Sequence, residues 1–145
     1  MRLATALVDF NGTLALDGVL IDGVADRLRV LAANVDVYVV TGDSTGTARE
    51  ALAALPVRVR IMPAHDQQAA KCAVIDALRA DETVVIGNGC NDSLVMARAA
   101  LSIAVVGTEG CAGEALMRAD VVCHSIRDAL DVLLIPRRLM ATLRR

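Results

Sequence analysis

Six short runs of β-branched and other apolar residues, separated mostly by longer stretches with helical spacing, limit what this chain can fold into. The runs cover residues 3–9, 35–41, 57–62, 83–87, 101–106 and 121–123. Most are continuously apolar rather than alternating, the pattern of parallel strands covered on both faces. The intervening segments 24–33, 44–55, 66–80, 92–100 and 112–118 read as helices, and 126–145 as one or two more, with Pro136 opening the second. This alternation predicts an α/β fold: a doubly wound, Rossmann-like parallel sheet. Ligands of such sheets sit beyond the carboxyl ends of the strands, where the winding direction changes.

One segment breaks the alternation. In residues 13–24, Leu14, Leu16, Val19 and Ile21 surround Asp17-Gly18, a hairpin signal, so a small β-flap is expected over the end of the first strand. The chain has 145 residues, 55% of them apolar, which suits one domain over 1–145. No apolar run reaches the roughly 18 residues of a membrane span, and no leader opens the chain, so a cytoplasmic protein is expected, with no membrane partner. A net charge of −2, with Phe10 and Tyr38 as the whole aromatic supply, argues against a nucleic-acid partner. Cys72, Cys90, Cys111 and Cys123 form no metal-ligand spacing and read as reduced thiols. Gly107, Gly110 and Gly113 lack the Gly-Lys-[Ser/Thr] ending of a phosphate loop and read as a strand-to-helix connection.

The residues able to do chemistry gather at the expected strand ends. The first run leads into Val8-Asp9-Phe10-Asn11-Gly12-Thr13, and the second into Val40-Thr41-Gly42-Asp43. The fourth leads into Gly87-Asn88-Gly89-Cys90-Asn91-Asp92, while Lys71 lies early in the helix after the third. A carboxylate can attack phosphorus and split one hard step into two. Hydroxyl and backbone N–H groups can hold phosphate oxygens, and an ammonium can offset the charge that shifts in the transition state. Lys71 stands out because the 15 basic residues are otherwise all Arg. A compact ammonium fits around a phosphate–carboxylate pair where a planar guanidinium fork would not.

These residues resemble the motifs of the haloacid dehalogenase-like (HAD) phosphohydrolases, and within them the phosphorylation core of the P-type ATPases. Asp9, Gly12 and Thr13 match the nucleophile motif Asp-x-Asp-Gly-Thr, and Thr41-Gly42-Asp43 the Thr-Gly-Asp form typical of the ATPases. Lys71 matches the third motif, and Gly87, Gly89, Asn91 and Asp92 match Gly-Asp-Gly-x-x-Asp. The resemblance implies a Mg²⁺-dependent phosphohydrolase working through an aspartyl-phosphate on Asp9. It implies Mg²⁺ ligands from Asp9, the Asn11 backbone carbonyl and Asn88, with Asp92 completing or supporting the metal site. Thr41, Gly42 and Lys71 would bind phosphate, with Asp43 steadying Lys71 and Asn91 supporting the site. Only 31 residues separate Asp9 from Thr41, which leaves no room for the ATPases' nucleotide domain. A HAD core without a cap domain is therefore expected. Its open site would suit a phosphorylated small molecule or a phosphoprotein, or closure by a second copy in a homo-oligomer.

Two positions depart from the family pattern. Asn11 stands where the general acid/base Asp is found, and an amide can neither protonate a leaving group nor take a proton from water. That loss is worth about 10²–10⁴-fold in hydrolysis. Asn88 replaces a directly coordinating Asp; its oxygen can still bind Mg²⁺, with one charge fewer. Both precede glycine and are prone to deamidation. Slow turnover with a preference for good leaving groups follows. The alternative is a catalytically impaired phosphate- or partner-binding regulatory module, although retention of Asp9, Thr41, Lys71 and Asp92 speaks for an enzyme. A response-regulator receiver would place its phosphoacceptor after the third strand, not the first.

Overall fold

The computed structural model of the chain describes residues 1–43 and 46–144. It runs β1 (Thr5–Asp9), β2 (Ala15–Leu16), β3 (Val19–Leu20), α1 (Val24–Ala32), β4 (Asp36–Thr41), α2 (Thr47–Leu52), β5 (Arg58–Ile61) and α3 (Gln67–Ala77). There follow β6 (Thr83–Gly87), α4 (Ser93–Met96), β7 (Leu101–Val105), α5 (Gly113–Arg118), β8 (Val121–Cys123), α6 (Ile126–Leu134) and α7 (Pro136–Thr142). Six strands pair in parallel in the order β5-β4-β1-β6-β7-β8. The chain winds outward from β1 through β4 to β5, then returns to the other side of β1 with β6 and winds outward again. The reversal falls beside β1, so the carboxyl ends of β1, β4 and β6 meet at the switch point.

Residue alternation along the strands divides the core into two layers. On one face Ala6, Val8, Val37, Val39, Val84 and Ile86 pack with Leu28 of α1, Leu52 of α2 and Leu130 of α6. On the other, Leu7, Val40 and Val85 pack with Cys72 and Ile75 of α3, Met96 of α4 and Ala115 of α5. This is the doubly wound sheet read from the sequence. The hairpin is present too: β2 and β3 pair antiparallel around Asp17 (φ 51°) and Gly18 (φ 79°), the two positive φ values of a tight hairpin turn. No cap domain stands over the strand ends among the described residues, and no helix is long and apolar enough to cross a membrane.

Most differences from the expected boundaries are of one to three residues and have local causes. The Val35 N–H still bonds the Leu31 carbonyl at the end of α1 (3.1 Å), so β4 begins at Asp36. The helix expected over 92–100 is short. A 3₁₀ turn, Cys90–Asp92, precedes the four-residue α4, and the Ala100 N–H is drawn to the carbonyls of Ala80 (2.9 Å) and Thr83 (3.0 Å), turning the chain into β7. The second expected helix was to start at Ser44; Ser44, Thr45 and Arg145 lie outside the described residues. Pro136 does open its own helix.

Candidate active site

Strand periodicity aims the first functional side chain. Asp9 follows Leu7 by two residues and so faces the same side of the sheet, toward α3. On α3, Ile75 is fully buried in the same layer as Leu7, and Lys71 lies one turn nearer the helix N-terminus. A lysine there leans back along its helix and reaches over the end of β1. Its ammonium is buried and meets Asp9 Oδ1 at 2.8 Å, Asp92 Oδ1 at 2.6 Å and Asn91 Oδ1 at 3.1 Å. All three of its protons are thereby engaged.

Asp92 is held from two sides. Its Oδ1 takes Lys71, and its Oδ2 accepts the backbone N–H groups of Asn88 (3.1 Å) and Gly89 (2.9 Å). Only 2% of it is exposed, so it props the lysine and the β6 loop from below. Both oxygens of Asp92 are thus engaged inside the fold, which suits the supporting position in the expected metal site. Asp43 differs from expectation. The carboxylates on Lys71 are Asp9 and Asp92. Asp43 instead accepts the Ala48 N–H at the start of α2 (3.2 Å), while its own N–H bonds the Thr41 hydroxyl (3.1 Å). It shapes the β4–α2 turn.

Above this buried layer opens a cleft of about 780 Å³ lined by Asp9, Asn11, Thr41, Gly42, Asp43, Asn88 and Asn91. Seven of the expected residues therefore share one cavity, with Lys71 and Asp92 beneath it. Gly89 of the fourth motif lines it too, and Gln67, Glu109, Gly110, Cys111 and Ala112 complete the lining; none of these last five was singled out in the sequence as a site residue. Gln67, the first residue of α3, accepts from Asn91 Nδ2 (3.1 Å) and lies so close over Gly42 that a Cβ there would meet it at 2.1 Å. It ties the β4 and β6 motifs together. Only its position at a helix start beside the motif lysine could have marked it.

The charges are unevenly balanced. Burial pushes the Asp9 carboxyl up, and the Asp92 charge adds to that. Lys71 and the Thr13 hydroxyl act the other way and leave it at about 7, against an ordinary 3.8. For Lys71, burial works to lower the pKa, but Asp9 and Asp92 outweigh it and hold the ammonium above its usual value. The Thr13 hydroxyl lies 3.3 Å from both Asp9 Oδ2 and Asn88 Oδ1, linking the first and fourth motifs. Asp9, Asn88 and the Asn11 carbonyl are hard oxygen donors of the kind Mg²⁺ takes, which fits that ion by type. Among these three only Asp9 is charged. No group of three or more His, Cys, Asp or Glu that could hold a metal is assembled among the described residues.

No protein-family model matches the chain. It is 38% identical over 82 residues to the uncharacterized protein MJ0073 of Methanocaldococcus jannaschii, covering 54% of this chain and 88% of that protein. A second protein of that organism, the uncharacterized MJ0072, is 38% identical over 39 residues, 27% of this chain and 89% of its own. Among solved structures, the cobalt-bound deoxy-D-mannose-octulosonate 8-phosphate phosphatase of Haemophilus influenzae superposes with a TM-score of 0.74 at 15% identity, over 98% of this chain and 90% of that one. The 3-deoxy-D-manno-octulosonate 8-phosphate phosphatase of Moraxella catarrhalis, in complex with magnesium, phosphate and KDO, gives 0.72 at 16% identity, over 98% and 94%. The Yersinia pestis phosphatase of the same name gives 0.73 at 20%, over 97% and 84%. The chain belongs to the same family as MJ0073 of Methanocaldococcus jannaschii, and its fold is that of the HAD-like hydrolases.

Proposed function

We propose that the protein is a Mg²⁺-dependent phosphohydrolase that works through an aspartyl-phosphate on Asp9. The observation that carries this reading is the buried Lys71 ammonium bridging Asp9 and Asp92 under an open polar cleft. Asp9 Oδ1 is held by the lysine, while Oδ2 faces Thr13 and the Asn88 side. One oxygen is thus the candidate nucleophile and the other the candidate metal ligand, with Asn88 and the Asn11 carbonyl beside it. Mg²⁺, when bound, would neutralise phosphate charge and orient the phosphorus toward Asp9. Thr41 and the Gly42 backbone would hold phosphate oxygens. Lys71 would stabilise the charge passing through Asp9, and exchanging its Asn91 contact would free one proton for the phosphate.

Asn11, exposed at the cleft and lacking an acid/base function, makes the phosphoenzyme slow to hydrolyse. This favours substrates with good leaving groups, such as acyl phosphates. The Thr41-Gly42-Asp43 sequence and the absent Asp at position 11 together support the likeness to the P-type ATPase phosphorylation core. A cleft of this size suits a phosphorylated small molecule, the substrate class named for the structural neighbours. The two neutral amides, Asn11 and Asn88, favour a second reading as a phosphate-binding module without turnover. A phosphate-release screen with Mg²⁺ over acyl phosphates, phosphomonoesters and nucleotides, run beside Asp9→Asn, decides between them. Release that Asp9→Asn abolishes supports the enzyme. Beryllium fluoride binding that needs Asp9 supports the enzyme as well; partner binding insensitive to fluoride, without release from any substrate, supports the module.

A further inference from the structure

The donors expected to hold a divalent cation carry little charge at the cleft. Asn88 is neutral, and both oxygens of Asp92 are turned to Lys71 and to backbone N–H groups. Asp9 alone is left, and a single carboxylate is a weak set for Mg²⁺.

The loop after β7 brings another carboxylate to the same place. Gly107 (φ 50°) and Gly110 (φ 84°) bound a tight turn, closed by the Gly110 N–H on the Gly107 carbonyl (3.3 Å), with Thr108 and Glu109 at its tip. Asn88 Nδ2 donates to the Gly110 carbonyl (3.0 Å) and so pins this turn to the β6 motif. From the tip, Glu109 reaches back across Gly12. A Cβ on Gly12 would stand 2.1 Å from Glu109 Oε2 and 2.7 Å from Asn88 Nδ2. The glutamate carboxylate and the Asn88 amide therefore share the space that any side chain at position 12 would fill. Glu109 makes no hydrogen bond or ion pair with another described residue. Glu109 is exposed to solvent on one side and lines the same cleft as Asp9 on the other, so a cation held between the two carboxylates would offset both charges.

We propose that Glu109 is the second carboxylate of the divalent-cation site and supplies the charge that Asn88 lacks. This rests on the phosphohydrolase reading above and adds to it a residue from outside the four motifs. It also gives Gly12 a reason beyond its φ of 79°: a side chain there would displace the carboxylate.

Mg²⁺ titration of the chelator-treated full chain by calorimetry tests the assignment, with the Mg²⁺-dependent rise in melting temperature as an independent readout. Glu109→Gln is expected to weaken Mg²⁺ binding by about tenfold or more, with an unchanged melting temperature in chelator. Adding Asn88→Asp to Glu109→Gln is expected to recover most of the affinity, because it returns one charge to the same set. Wild-type affinity in Glu109→Gln, or no recovery in the double variant, overturns the assignment. If Asp9→Asn abolishes binding while Glu109→Gln does not change it, this assignment alone falls. If the wild type does not bind Mg²⁺, or neither substitution affects its binding, the phosphohydrolase reading falls with it.

Discussion

Lys71 Nζ lies 2.8 Å from Asp9 Oδ1 and 2.6 Å from Asp92 Oδ1, sealed from solvent between them. The arrangement holds one cation against two carboxyl groups, and removing the cation leaves this buried pair without its counter-charge. Lys71→Met is therefore expected to destabilise the fold by about 3 kcal/mol or more, as for other buried pairs that lose one partner, and to abolish phosphate release. Urea unfolding of the variant checks the first expectation, and a phosphate assay the second. A variant as stable as the wild type would contradict the buried bridge.

The raised Asp9 pKa sets a pH dependence. Unfolded, the carboxyl titrates near 3.8; folded and metal-free, at about 7. Between these values the folded chain keeps a proton that the unfolded chain has lost. The contribution of Asp9 to stability is thus present below the lower value and lost as pH rises through the upper one. Lys71, whose pKa is raised, and Asp131, whose pKa is lowered, act outside that window. In chelator, the contribution of Asp9 to the melting temperature is expected to fall from about pH 4 to about pH 7, and Asp9→Asn is expected to flatten the slope. An equal slope in both proteins would show that Asp9 is not its source.

Restoring a carboxylate at position 11 supplies a general acid/base beside the nucleophile. Asn11→Asp is expected to speed dephosphorylation by about 10²-fold or more, seen as loss of a burst in pre-steady-state phosphate release. A variant that folds normally and turns over no faster contradicts the account of slow hydrolysis. Peptide mapping must accompany the comparison, because deamidation at Asn11-Gly12 would convert the wild type into the variant.

The reach of Lys71 depends on Ile75, one turn along α3 and packed in the layer beneath the sheet with Leu7. Ile75→Ala is expected to lose about 2–5 kcal/mol from the cavity it leaves. It is also expected to lower kcat more than KM rises, because the lysine moves relative to Asp9 while the cleft wall stays in place. Chemical denaturation and steady-state kinetics measure the two effects. An unaltered kcat in a destabilised protein would remove Ile75 from the positioning of the site.

What could be read in the sequence was what depends on periodicity and fixed spacing. Continuous apolar runs gave the parallel sheet, and Asp17-Gly18 gave the hairpin. The strand ends brought Asp9, Thr41 and Asn88 to one cleft. Where individual side chains end could not be read there. Asp43 and Asp92 look alike as acids near strand ends, but Asp43 turns to the N–H of Ala48 while Asp92 turns inward to Lys71. Glu109 and Gln67 sit outside any motif, in a loop and at a helix start. Only the folding of β7 beside β6, and of α3 beside β4, brings them to the cleft.

The central claim is that Asp9 becomes covalently phosphorylated and, for want of an acid/base at position 11, stays so long enough to be seen. Wild-type protein incubated with acetyl phosphate and Mg²⁺, quenched in acid and analysed by mass spectrometry, tests it most directly. The account predicts one added phosphoryl group, on the peptide containing Asp9, removed by hydroxylamine and absent from Asp9→Asn. Failure to form an adduct, or an adduct that persists in Asp9→Asn, would contradict it.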